Sequence, residues 1–215
     1  MTRTTRWTIA ILVVVAALVA ALVAELRDRS ATNATAPPPA AREHRDADTT
    51  AALAGPRERA NLLPCPVPGA DPAVSGSAAL RGVTVECAAD GSVVDVPRAL
   101  AGRRVVLNLW AYWCAPCAAE LPAMAEYQRR VGPGVTVLTV HQDENETAAL
   151  LRLADLGVRL PTLQDGRRRI AAALGVVNVM PATVVLRPDG SVAQTLPRAF
   201  ASADDIAAAV GSDTG

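Results

Sequence analysis

The chain has no lysine: its 21 basic side chains are all arginine, and 21 acidic ones bring the formal net charge to zero. No stripe of basic residues runs through it, which removes the electrostatic footprint of a nucleic-acid binder. Aromatic side chains make up only 3% of residues, so a core has to be assembled from alanine, valine and leucine. There are two histidines, His44 and His141, poorly placed to complete a tetrahedral metal cage with the four cysteines. No internal repeat is present. A length of 215 residues allows one domain of ordinary size with extensions.

What the chain does have begins with one long apolar run. Thr8–Ala24 follows Arg3 and Arg6 and precedes Glu25, Arg27, Asp28 and Arg29. With Trp7 and Leu26 it reaches the ~20 residues a helix needs to cross a bilayer. Arg3 and Arg6 favour a cytoplasmic N-terminus, although the arginines after the run reduce the asymmetry. A cleaved signal peptide is the competing reading. The run ends without a good A-x-A site, and Ala34-Thr35-Ala36 lies far downstream and is followed by proline. We therefore expect residues 1–29 to be an uncleaved single-pass anchor in the cell membrane, with the rest of the chain outside the cytoplasm. Residues 30–60, with Pro37-Pro38-Pro39 and no apolar periodicity, read as a disordered tether. His44 and the charges around it are then solvated. Residues 61–215 are expected to fold.

The chemistry concentrates in Trp113-Cys114-Ala115-Pro116-Cys117. The apolar run before it ends at Trp110 and reads as a central strand covered on both faces. A helical pattern begins at the cysteines and extends to Val131, with Pro122 expected to kink it. Cysteines three apart on a first helical turn share one face. The first of them sits beside unpaired N–H groups and the positive end of the helix dipole, which favours its thiolate. Cys114 is therefore the expected attacking sulfur and Cys117 the resolving one. A CxxC also serves as half of a zinc site. Here Cys65 and Cys87 are widely spaced and supply no second ligand pair, so exchange chemistry outweighs metal binding, and no metal or other cofactor is expected. Cys65 and Cys87 lie in extended segments ahead of the core. A structural disulfide between them is expected, the alternatives being two buried thiols or a second exchange pair.

The pattern elsewhere gives a hairpin around Ala89-Asp90-Gly91, a strand over Val135–Val140, and a helix from about Glu144 to Leu156. A short helix follows over Arg167–Leu174, whose arginine run Arg167-Arg168-Arg169 reads as a solvated face. A second hairpin surrounds Arg187-Pro188-Asp189-Gly190, and a last amphipathic helix starts at Ser202 with Asp205 placed for a capping box. His141, at a strand end, reads as surface.

With Trp113, the CxxC and this βα context, the chain from about Leu80 resembles the thioredoxin superfamily. It is most similar to the membrane-anchored, extracytoplasmic TlpA/ResA-type thiol–disulfide oxidoreductases. The resemblance implies an α/β thioredoxin-like fold, a central mixed sheet flanked by helices with an N-terminal β-hairpin extension, preceded here by the transmembrane helix. It implies a cis bond at Met180–Pro181 in a loop facing the cysteines, with Trp113, Met180 and Pro181 contacting substrate. Asn108 stands where thioredoxins carry a buried aspartate, as is usual in this type. Glu120, before Pro122, then becomes the candidate to take a proton from Cys117. The expected activity is that of an enzyme reducing exported protein disulfides, apocytochrome c among the implied clients, with electrons from a membrane donor. The alternatives are an exported oxidase or isomerase on the same fold, and a tethered binding module with an inert Cys114–Cys117 bridge.

Overall fold

The computed structural model describes residues 48–69 and 76–211. The apolar run Thr8–Ala24, most of the expected tether and His44 lie outside these residues. Among the described residues no helix is long and apolar enough to cross a membrane.

The elements in chain order are α1 (Thr50–Ala60), β1 (Thr84–Cys87), β2 (Val93–Asp95), α2 (Val96–Leu100), β3 (Val105–Trp110) and α3 (Ala115–Val131). After a single 3-10 turn, Gly132–Gly134, come β4 (Thr136–His141), α4 (Glu146–Asp155), β5 (Thr162–Gln164), α5 (Arg169–Ala173), β6 (Ala182–Leu186), β7 (Val192–Leu196) and α6 (Ala203–Val210). The strands form one mixed sheet in the order β2-β1-β5-β4-β3-β6-β7. The centre, β3, β4 and β5, is parallel, and the flanking pairs are antiparallel.

β3 is buried along its whole length, and its two-residue period divides the core. Val105, Leu107 and Leu109 face a layer containing Val96, Leu100 and Ile170 of α2 and α5. Val106 and Trp110 face the other layer, with Leu121, Met124 and Tyr127 of α3, Leu153 of α4 and Ile206 of α6. Asn108 falls on that second face by the same alternation, under α3. The helix α3 continues through Pro122 as one element.

Three expectations change. The end of the segment read as a tether folds: Thr50–Ala60 is helical despite Pro56, with Leu53 and Ala60 buried against Leu150 of α4. Its own sequence carries almost no apolar stripe, so the helix owes its place to α4 and to the Arg57–Glu146 ion pair at 3.0 Å, not to amphipathic pattern. The short segment Thr162–Gln164, a single leucine between two polar residues, was not expected as a strand. It forms one because β4 and β1 pair with it on either side. At the start of α6, Ser202 Oγ accepts from the Asp205 N–H as a cap should, but the Asp205 carboxylate turns to Arg198 and the Ala201 N–H and does not close the box.

Cys65 and Cys87 are joined, with Cα atoms 5.9 Å apart, fastening the proline-rich segment to β1. Closing a loop of 22 residues contributes about 3 kcal/mol in the chain-entropy description.

Candidate active site

The strand β3 ends at Trp110, and the chain turns through Ala111, Tyr112 and Trp113 into α3. Cys114 is the N-cap: its backbone is extended (φ −82°, ψ 100°), and its Sγ accepts from the Cys117 N–H at 3.3 Å. That geometry presents the sulfur to the free N–H groups and the positive dipole end of a 17-residue helix. Cys114 and Cys117 are joined as a disulfide. Cys114 is 6% exposed and Cys117 fully buried, so only the first is open to an incoming partner.

The Met180–Pro181 peptide bond is cis. It precedes β6, whose first residue Ala182 pairs with Leu109 of β3, so the loop and the disulfide share one end of the sheet. Met180 packs into the apolar cluster that holds both cysteines. Around them Trp113 is 57% exposed, Val177 60% and Val179 40%, large apolar side chains left open at the same end of the sheet. Trp113 is fixed there by its indole N–H, which donates to Asp143 Oδ2 at 3.0 Å.

Glu120, one turn beyond Cys117, is fully buried. Neither of its carboxyl oxygens meets a donor at hydrogen-bonding geometry, and the same holds for both polar atoms of Asn108 and for Thr183 Oγ1. Asn108 and Thr183 are register partners on β3 and β6. Burial pushes the Glu120 pKa up to about 7; the Asn108 amide, the Phe200 backbone N–H and Arg198 oppose that shift only in part. A carboxyl that ionises near neutral pH is suited to exchanging a proton there.

His141 is not at the surface but fully buried at the end of β4. Its Nε2 accepts from the Tyr112 N–H at 3.4 Å, which leaves the proton on Nδ1 to donate to Gln164 Oε1 at 2.8 Å. Its ring lies 5.1 Å from that of Trp110. Burial lowers its pKa to about 4, so it is neutral at physiological pH and holds the loop before Cys114 in place. The Gln164 amide closes the circuit by donating to the Asp143 carbonyl at 2.6 Å. The arginine run is likewise more than a solvated face. Arg168, in a left-handed backbone conformation (φ 56°), donates to Gln142 Oε1 at 3.2 Å and to Asn178 Oδ1, tying the loop after β4 to the loop before Pro181. No periodicity or motif in the sequence marks His141, Gln164 or Arg168 for these contacts.

The two disulfides stand apart. Cys65 and Cys87 belong to the core on one face of the sheet, Cys114 and Cys117 to the core on the other, and β5 and β4 separate β1 from β3. No cluster of three His, Cys, Asp or Glu side chains suited to a metal occurs among the described residues.

The profile of the AhpC/TSA family matches residues 80–195, more than half of the chain and the whole stretch from the hairpin to β7. The chain belongs to the AhpC/TSA family. Within it, the thiol-disulfide oxidoreductase ResA of Bacillus subtilis is 33% identical over 98 residues, 45% of this chain and 54% of that protein. ResA of Oceanobacillus iheyensis is 32% identical over 118 residues, 50% of this chain and 59% of that protein. The chain thus spans little more than half the length of the curated relatives it matches. Among solved structures, a secreted thiol-disulfide isomerase from Corynebacterium glutamicum superposes with a TM-score of 0.54 at 24% identity, covering 67% of this chain and 94% of that one. A secreted Mycobacterium tuberculosis disulfide oxidoreductase gives a TM-score of 0.53 at 24% identity, over 62% and 96% of the two chains. These structures share the thioredoxin-like fold. The AhpC/TSA match takes in Cys87, Cys114, Cys117, Glu120 and Pro181, and leaves out Cys65 and everything after β7.

Proposed function

We propose that this protein is a thiol–disulfide oxidoreductase that reduces disulfides of exported proteins, held at the outer face of a membrane by residues 8–24. The observation that carries the reading is Cys114 as the slightly exposed N-cap of α3, bonded to a fully buried Cys117, with Met180–Pro181 at the same end of the sheet. The ResA relatives are named thiol-disulfide oxidoreductases, which supports the exchange chemistry.

In the reduced enzyme the Cys114 thiolate attacks one sulfur of a client disulfide. A bond forms between Cys114 and that sulfur, and the other client sulfur leaves as a thiolate. Cys117 gives its proton to the Glu120 carboxylate and attacks Cys114 Sγ, releasing the second client sulfur. Two electrons have passed to the client, and the enzyme is left with the Cys114–Cys117 bond. Trp113 and Met180 offer an apolar floor to the client segment, and the backbone beside Pro181 offers a strand edge for it to pair with. Apocytochrome c cysteines fit as clients because they need two free thiols outside the cytoplasm. A membrane protein carrying electrons outward as thiols would re-reduce the pair.

The residues between the cysteines support the reductive direction. Ala115 and Pro116 provide no imidazole to stabilise the Cys114 thiolate further, so the dithiol is a better reductant than in strong oxidants. Equilibration with dithiothreitol and glutathione couples should give a potential near thioredoxin's, about −270 mV. A value near about −120 mV, that of a strong oxidant, would overturn the reductase and favour the oxidase on the same fold.

A further inference from the structure

Large apolar side chains stand open on two loops beside Cys114, and Arg168 is bonded to both of those loops. On the first, Trp113 is fixed by its indole N–H to Asp143 Oδ2 at 3.0 Å. The residue before Asp143 is Gln142, whose backbone N–H donates to the Trp110 carbonyl at 2.9 Å, at the end of β3. On the second, the exposed Val177 and Val179 flank Asn178, just ahead of Met180–Pro181. In the sheet β3 lies between β4 and β6, so the loop leaving β4 and the loop entering β6 are two strand spacings apart, about 10 Å. The Arg168 guanidinium bridges that gap, donating from Nε to Gln142 Oε1 at 3.2 Å and from Nη1 to Asn178 Oδ1. Its base is fixed as well. The Arg168 N–H donates to the Asp165 carbonyl at 2.9 Å, and its carbonyl accepts from the Ala172 N–H at 3.0 Å. The fully buried Asp165 carboxylate holds the start of α5, accepting from the Arg169 and Ile170 N–H groups at 2.9 and 2.8 Å.

We infer that Arg168 is a positioning residue for client choice: it sets the spacing between Trp113 and the Val177–Val179 loop, and so favours disulfides whose cysteines carry a large apolar neighbour. The inference rests on the reading of Trp113 and Met180–Pro181 as the seat of the client. Arg168 is bonded to neither sulfur, so it acts on binding and not on the exchange step. Without the bridge the Val177–Val179 loop has to be ordered by the client, and that cost comes out of affinity. An apolar neighbour of the client cysteine gains most from walls already in place, because only it covers Trp113 and the two valines from water. A polar neighbour gains little from them. The backbone supports the same role. Arg168 sits at φ 56°, a conformation that glycine takes freely and arginine at a cost. The side chain, and not the turn, is what requires an arginine there, since its planar fork reaches two acceptors at once.

The test mixes the reduced full-length chain with excess disulfide and follows the loss of the Cys114 and Cys117 thiols. Each disulfide gives a half-saturating concentration and a limiting rate. The probes are a peptide disulfide with leucine beside each cysteine, the same peptide with serine there, and bis(2-hydroxyethyl) disulfide. Arg168→Gly removes the fork and keeps the left-handed turn without strain, so the fold is retained. It should raise the half-saturating concentration of the leucine peptide roughly tenfold, the scale of one charge-assisted hydrogen bond. The limiting rate, the serine peptide and bis(2-hydroxyethyl) disulfide should be unchanged. Asn178→Ala cuts the same bridge from an exposed position and should match it, and the double variant should lose no more than either. Equal losses with all the disulfides, a fall in the limiting rate alone, or an unmoved leucine peptide in both single variants would overturn the inference. A wild type that favours both peptides over bis(2-hydroxyethyl) disulfide but takes them alike would overturn it too, leaving the client seat intact. A wild type that favours neither peptide over the small disulfide would remove the client seat and the inference together.

Discussion

Glu120 is the residue whose energetics are most at odds with its surroundings. Its pKa is raised from 4.5 to about 7 because burial removes water and the Asn108 amide and the Phe200 N–H make up for it only in part. The folded state therefore holds a proton that the unfolded chain has lost between those two values, and stability falls as pH rises through this window. Above about pH 7 the penalty is complete, on the order of 3 kcal/mol for a shift of this size. Glu120→Gln carries no charge to bury. Denaturant unfolding of the oxidised proteins at pH 4.5 and pH 8 should show the variant gaining about 3 kcal/mol on wild type between the two. Equal gaps at both pH values would mean that Glu120 is not buried as a titrating acid. The placement of Cys114 and Cys117 at a helix start was legible in the sequence because spacing on a first helical turn is a local property, whereas Glu120 was singled out only by the family resemblance. His141 was not legible: the signal that buries it is the pairing of β4 with β5, and β5 itself is only Thr162-Leu163-Gln164, one apolar residue between two polar ones.

Among the elements, α1 was the least legible. Its residues Ala51-Ala52-Leu53 and Pro56-Arg57-Glu58-Arg59 carry a weak apolar pattern and a proline, and composition alone assigns them to a tether. The helix is held by Leu53 against Leu150 and by Arg57, which donates to Glu146 Oε1 at 3.0 Å and to the Ala88 carbonyl at 3.2 Å. Glu146 is buried, and desolvation outweighs Arg57 to bring its pKa up to about 7. Removing the arginine therefore has a pH-dependent cost. With Arg57→Met the carboxyl should escape by protonation at pH 5, and the variant should unfold close to wild type. At pH 8 the unpaired buried charge should cost about 3 kcal/mol, as loss of one partner of a buried pair does. A pH-independent loss would place the effect in packing rather than charge. The central strands, by contrast, were legible: the apolar run ending at Trp110 became β3 and the strand expected over Val135–Val140 became Thr136–His141, because strands buried on both faces are apolar almost throughout.

For the molecule as a whole, the proposed placement outside the cytoplasm follows from Thr8–Ala24 and the arginines before it. A reporter that works only after export, fused at Gly215, should be active, and one that works only in the cytoplasm should be silent there; the reverse pattern would contradict the placement. That placement matters because the chemistry needs a compartment in which client disulfides form and a donor that reaches them. The exchange chemistry itself depends on Cys114 being the attacking sulfur. The decisive measurement is trapping of a mixed disulfide by the reduced full-length chain. A Cys117→Ala chain offered a model peptide disulfide should form a stable adduct on Cys114, visible as an added peptide mass. A Cys114→Ala chain should form essentially none, because Cys117 is fully buried. Adducts on Cys117 formed as fast as those on Cys114, or no adduct on either, would contradict it.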